Sequence, residues 1–149
     1  MSLINKNCIL TDLKVNSKLD AIKKMADTLN KEGYLNSLET YIEDVLKREE
    51  VFPTYIGYEI GLPHGRSTGV KEAGLCIARL KNKIKWSDET DEDVKIIILI
   101  AVGEQNENNL HMQILAKLSR MLMHEEFRNQ IITGNQDSVH KLICDNIKI

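Results

Sequence analysis

The sequence predicts an α/β fold, a single layered domain with a mixed central β-sheet flanked by helices on both faces. Three observations lead there. Residues 94–102 are apolar apart from Lys95 and rich in isoleucine, the pattern of a central strand buried on both faces. Leu19, Ile22, Met25, Ala26 and Leu29 recur at helical spacing, and so do Leu110, Ile114, Leu115, Leu118, Met121 and Leu122. Shorter β-rich runs are mixed with these helices, with no internal repeat, linker or low-complexity stretch. At 149 residues the chain is most simply one domain, residues 1–149, large enough for a real core.

In chain order, residues 7–15 carry β-branched Ile9, Thr11 and Val15 and begin as a strand. Ser17, with Asp20 three residues on, caps the first helix, although a strict capping box has Glu or Gln there. Gly33 stops that helix. Ser37 caps a second helix with Leu38, Tyr41, Ile42, Val45 and Leu46 on its apolar side and Arg48 at its end. Residues 54–60 read as a strand leading into a turn at Leu62-Pro63-His64-Gly65. Gly69 and Gly74 bracket further turns, and residues 75–80 read as another strand. Residues 82–92, polar and acidic around Trp86, form a loop or a short hairpin. Beyond the central strand come a polar loop over 104–109 and a long amphipathic helix over 110–122. Two short helices follow, 125–132 and 138–143, separated by Gly134-Asn135.

Composition narrows the function. A hydrophobic content of 42% and a charged content of 28% are those of a soluble globular protein. Lys plus Arg total 20 and Asp plus Glu total 22, so the net charge of −2 argues against a nucleic-acid binder. The longest apolar run, 96–102, is far shorter than the roughly 20 residues of a membrane span. No long apolar segment follows the start, so the expectation is a cytoplasmic protein. Cys8, Cys76 and Cys144 are odd in number and widely spaced, which reads as reduced, mostly buried thiols.

The densest chemical signal is Gly57-Tyr58-Glu59-Ile60-Gly61-Leu62-Pro63-His64-Gly65. A histidine wedged between proline and glycine is presented rather than hidden, and neutral imidazole is a nucleophile near pH 7. Pro63 restricts the backbone and biases Leu62 toward extended geometry. His111 opens the helix of residues 110–122 on its apolar face. It reads as a satisfied core histidine or as a donor at a helix N-terminus, where an anion is favoured. Arg48 reads as a solvated charge complementing its helix dipole, or as a bidentate holder of a phosphoryl group. Thr54 is a weaker hydroxyl candidate. His124 and His140 lie among charged residues and read as surface histidines. A metal site of His64, His111 and Glu59 lacks any recognised ligand spacing. No phosphate-binding Gly-Lys loop and no G-x-S-x-G element supports ATP use or serine hydrolysis. Trp86 reads as a structural anchor.

The block Ile60-Gly61-Leu62-Pro63-His64-Gly65 resembles the active-site signature of enzyme IIA of the fructose/mannitol (type-2) family of the bacterial sugar phosphotransferase system. Arg48-Glu49-Glu50 and Phe52-Pro53-Thr54-Tyr55-Ile56-Gly57 upstream match its pattern, as do Ile84-Lys85-Trp86, residues 94–102 and Asn109-Leu110-His111-Met112-Gln113-Ile114-Leu115-Ala116 downstream. The resemblance runs from about residue 5 to about residue 145. It implies that His64 takes a phosphoryl group from the phosphocarrier protein HPr and passes it to a cysteine of a IIB component. It implies that His111 lies beside His64 and that Arg48, and more weakly Thr54, bind the phosphoryl group. No metal or organic cofactor, nucleic acid or membrane insertion is implied. Because Cys8 has no glycine loop around it, the resemblance is to a IIA unit without a fused IIB. The alternative within the family is a nitrogen-related regulatory IIA that signals by its phosphorylation state.

Overall fold

Strand β5, Val94–Gly103, is the spine of the sheet. A computed structural model describes residues 2–104 and 109–148. The other strands are β1 (Ile9–Leu13), β2 (Ile60–Gly61), β3 (His64–Ser67) and β4 (Gly74–Ile84). β4 runs antiparallel to β5, while β2 and β3 pair with β5 in parallel and β1 pairs with β4 in parallel. The sheet is therefore mixed, in the order β1-β4-β5-β2, with β3 also on β5.

Among the described residues, five α-helices cover it: α1 (Lys18–Lys31), α2 (Leu38–Val51), α3 (Leu110–Leu122), α4 (Glu125–Thr133) and α5 (Gln136–Asn146). Alternate β5 side chains point to opposite faces, and both sets are buried. Ile97, Leu99 and Ala101 join the core under α1 and α2. Ile96, Ile98, Ile100 and Val102 join the core under α3, α4 and α5. This is the two-sided burial expected of residues 94–102.

Ser17 and Ser37 cap their helices as the sequence suggests, and Asn135 adds a cap to α5 that was not expected from it. Ser17 Oγ accepts from the Asp20 N–H, Ser37 Oγ from the Thr40 N–H, and Asn135 Oδ1 from the Ser138 N–H. Each such cap contributes about 1 kcal/mol to its helix. Asp20 also reaches back, accepting from the Asn16 N–H one residue before the cap. Leu19, at core spacing in the sequence, is 44% exposed, because it lies at the helix edge beyond the sheet-facing stripe of Ile22, Met25, Ala26 and Leu29.

Residues 54–60 are not a strand. Gly57, Tyr58 and Glu59 all have positive φ, at 90°, 57° and 63°, and fold the segment back on itself. The Ile60 N–H donates to the Gly57 carbonyl and the Ile56 N–H to the Ile60 carbonyl. Sheet pairing resumes for two residues in β2. His64 consequently opens strand β3 rather than closing a turn. β4 extends through Ile84, beyond the predicted strand, and forms a long hairpin with β5. Cys8 belongs to a short 3-10 turn, Lys6–Cys8, just before β1. All three thiols are free; Cys8 and Cys76 are buried and Cys144 is exposed. Most of the loop expected over 104–109 lies outside the described residues.

Candidate functional site

Backbone pairing sets the position of His64. His64 is in register with Ile100, and the Ile100 N–H donates to the Pro63 carbonyl at 3.0 Å. The buried Tyr41 hydroxyl of α2 donates to the Ile100 carbonyl at 2.8 Å, fixing the helix to the same point of β5. Gly65 allows the close approach of α2, since a Cβ there would lie 3.1 Å from Val45 Cγ2. At Gly61 a Cβ would lie 2.8 Å from the buried Trp86 ring, so Trp86 is the anchor under β2.

The His64 ring is half-buried, and its Nδ1 lies 2.9 Å from the Leu62 carbonyl oxygen. A carbonyl only accepts, so Nδ1 carries the proton. In the neutral ring the lone pair is then on Nε2. Burial pushes the imidazole below the ordinary histidine value, and the nearby Arg48 charge pushes the same way. The Leu62 hydrogen bond and the Glu49 charge oppose this. The net direction favours a neutral, nucleophilic ring at pH 7.

His111 occupies the first turn of α3, close enough to His64 to feel its charge. Burial lowers its basicity first, and the charges of Arg66 and His64 lower it further. Its Nδ1 is buried without a hydrogen-bond partner among the described residues. An unsatisfied buried polar atom costs about 1–3 kcal/mol, which makes it a candidate for contact with something brought to the site.

Arg48, in the last turn of α2, donates to the Phe52 carbonyl at 3.1 Å and lies 5.2 Å from the centre of the Phe52 ring. It caps its own helix and is also close enough to His64 to act on its charge. Thr54 is 9% exposed and turned away from open space. Its hydroxyl donates to Glu49 Oε1 and its N–H donates to Glu49 Oε2 at 2.8 Å. The fold thus gathers His64, His111 and Arg48, while the Thr54 hydroxyl proton is engaged by a carboxylate.

That carboxylate is the residue sequence reasoning missed. Glu49 is 7% exposed and pairs with Lys18 Nζ at 3.3 Å. A signal was present: Val45 and Leu46 stand four and three residues earlier, so Glu49 falls on the apolar face of its helix. His124 is exposed at the start of α4. His140 is half-buried rather than free, with Nε2 at 3.2 Å from the Ile4 carbonyl. Glu59 pairs with Lys83 at 2.5 Å. Among the described residues no group of three or more His, Cys, Asp or Glu is arranged to hold a metal ion, and no helix is long and apolar enough to cross a membrane.

Sheet and site define an α/β domain that holds a tautomer-fixed histidine at the head of a short parallel strand. Residues 2–146 match the family model described as the phosphoenolpyruvate-dependent sugar phosphotransferase system, EIIA 2. The chain belongs to this family, whose members are phosphotransferases with phosphohistidine intermediates. It is 27% identical over 143 residues to the fructose-like EIIA component of Escherichia coli, covering 96% of each chain. It resembles the Escherichia coli IIA-mannitol solved in complex with phosphorylated IIB-mannitol, with a TM-score of 0.79, 26% identity, and coverage of 96% of this chain and 99% of that one. The nitrogen regulatory protein IIA-Ntr of Neisseria meningitidis has a TM-score of 0.84 at 24% identity, over 95% of this chain and 96% of that one, a likeness of fold alone. The chain spans 17%, 20% and 23% of the length of three other curated relatives.

Proposed function

We propose that the chain is a single IIA unit that carries a phosphoryl group on His64 Nε2. The donor is the phosphohistidine of HPr and the acceptor is a cysteine thiolate of a IIB component. In the first step the donor P–N bond breaks as the bond to Nε2 forms. The Nδ1 proton stays on the ring, and the Leu62 carbonyl stabilises the positive charge that the ring acquires. In the second step the P–Nε2 bond breaks as a P–S bond forms, and His64 returns to its neutral state. Such transfers pass through a loose, metaphosphate-like arrangement, so positioning and charge carry the rate. Arg48 supplies a cation and His111 a ring nitrogen for the phosphoryl oxygens.

The observation that carries this reading is the Nδ1–H bond to Leu62, which leaves Nε2 as the nucleophile. The IIB partner is supported by the solved complex of the mannitol relative. The reading puts the chain to work in the cytoplasm, where HPr carries its phosphoryl group. Intact-mass analysis after incubation with phosphoenolpyruvate, enzyme I and HPr tests it. One acid-labile phosphoryl group is expected on the native chain and none on His64→Ala. An unmodified native chain in the presence of competent phospho-HPr overturns it.

A further inference from the structure

We propose that Glu49 is a positioning residue for His64: its carboxylate holds Thr54, and Thr54 and Leu62 pass that constraint to the imidazole. The inference rests on the phosphocarrier reading for its kinetic consequence, and its structural half stands independently.

Four hydrogen bonds form the relay. Glu49 accepts from both the hydroxyl and the N–H of Thr54. The Thr54 carbonyl accepts from the Leu62 N–H at 2.8 Å. The Leu62 carbonyl accepts from His64 Nδ1–H at 2.9 Å. Between these points lies the turn of residues 57–59, whose three positive-φ residues give it little intrinsic preference for its shape. The carboxylate ties one end of that turn to the rigid last turn of α2. The other end is tied to β5, where the Lys95 N–H donates to the Glu59 carbonyl at 2.8 Å.

Stability alone is a poor reason for a carboxylate here. A negative charge in the last turn of a helix opposes the helix dipole. Burying it costs several kcal/mol before its partners offset that cost, and apolar replacements of buried ion pairs are often neutral or stabilising. Lys18 answers the charge at 3.3 Å, with its ammonium 4.5 Å from the centre of the Trp86 ring. A placement that is costly for the helix, yet takes two hydrogen bonds from Thr54 in the segment leading to His64 besides the Lys18 ion pair, points to geometry at His64.

The charged and titratable groups around the ring set the sign of a second effect. Arg48 and Glu49 act on His64 from α2, and the His64 ring in turn acts, with Arg66, on His111 of α3. Glu49, together with the Leu62 hydrogen bond, raises the basicity of His64 against burial and the Arg48 charge, so neutralising it lowers that basicity further.

The test is ring-nitrogen NMR of His64 in the native chain, Glu49→Gln and Thr54→Val, with initial phosphorylation rates from phospho-HPr. Gln offers one acceptor oxygen where the carboxylate offers two, and Val removes only the hydroxyl bond. We expect Glu49→Gln to populate the Nε2–H tautomer, to titrate at lower pH and to be phosphorylated about tenfold more slowly, as expected for a displaced nucleophile. Thr54→Val should shift the same signals less. If folded Glu49→Gln keeps the Nδ1–H tautomer, the native titration and the native rate, the proposal is overturned. If Glu49→Gln does not fold, Thr54→Val decides by the same signals. A native chain that takes no phosphoryl group while the tautomer still responds to Glu49 would sink the carrier reading and leave the positioning role standing.

Discussion

β5, rich in β-branched side chains, and residues 54–62, rich in β-branched and aromatic ones, lie side by side, yet they behave differently. β5 is a ten-residue strand paired along both edges and buried on both faces. The neighbouring segment turns through three positive-φ residues and pairs with β5 for two residues only. The contrast teaches that β propensity takes effect where a ladder and a core are available on both sides. Where Gly57 permits a left-handed start, hydrogen bonds within the segment and to Glu49 take over. The result is a rigid spine beside a shaped turn, with His64 at the boundary.

Three substitutions or conditions probe that contrast, beginning with the largest effect. Ile98→Ala in β5 empties a fully buried site in the core under α3, α4 and α5. It should cost about 2–5 kcal/mol in urea unfolding, with the His64 tautomer retained in the remaining folded protein. A loss below this range would mean that the spine repacks freely.

Gly57→Val addresses the turn. Among the described residues nothing lies within 4 Å of a Cβ built at Gly57, so the penalty is conformational and arises from φ of 90°. We expect a loss of about 1–2 kcal/mol together with slower phosphorylation, the reverse of the Ile98→Ala pattern. Unchanged stability and rate would mean that the turn is not held in its left-handed shape.

The smallest effect is that of pH. Burial lowers both His64 and His111 below the ordinary value of 6.5, so the folded protein binds fewer protons than the unfolded chain as pH falls. Their contribution to stability is fully present above about pH 6.5 and is lost as pH drops through the folded-state values. Urea midpoints from about pH 8 to about pH 5 should decline less steeply in a His64→Gln, His111→Gln double variant. Equal slopes would show that neither ring is held neutral by the fold.

Much of this was legible from local patterns. Ser17 and Ser37 announce their helices because a cap needs only a side-chain oxygen and the next turn of backbone. The isoleucine run of β5 announces a two-sided strand because apolar side chains at successive positions need cover on both faces. The Pro63-His64-Gly65 block draws attention to the site because each residue restricts or frees the backbone by its own covalent structure.

Other features depended on partners distant in the chain. Tyr55, Ile56 and Ile60 gave the sequence of residues 54–60 the look of a strand, but the conformation was decided by Glu49, by β5 and by the room beside Gly57. The burial of Glu49 became visible once Lys18 and Trp86 stood next to it. The choice of Nε2 as the free nitrogen of His64 required the Leu62 carbonyl to face the ring, which the turn and strand together bring about. Local sequence patterns specify which segments are helices, which strand is central and which histidine to watch, because those follow from covalent geometry and from the periodicity of apolar groups. Tertiary structure decided the ring's tautomer and neighbours and the carboxylate that supports it, because a hydrogen bond depends on where both ends of it come to rest.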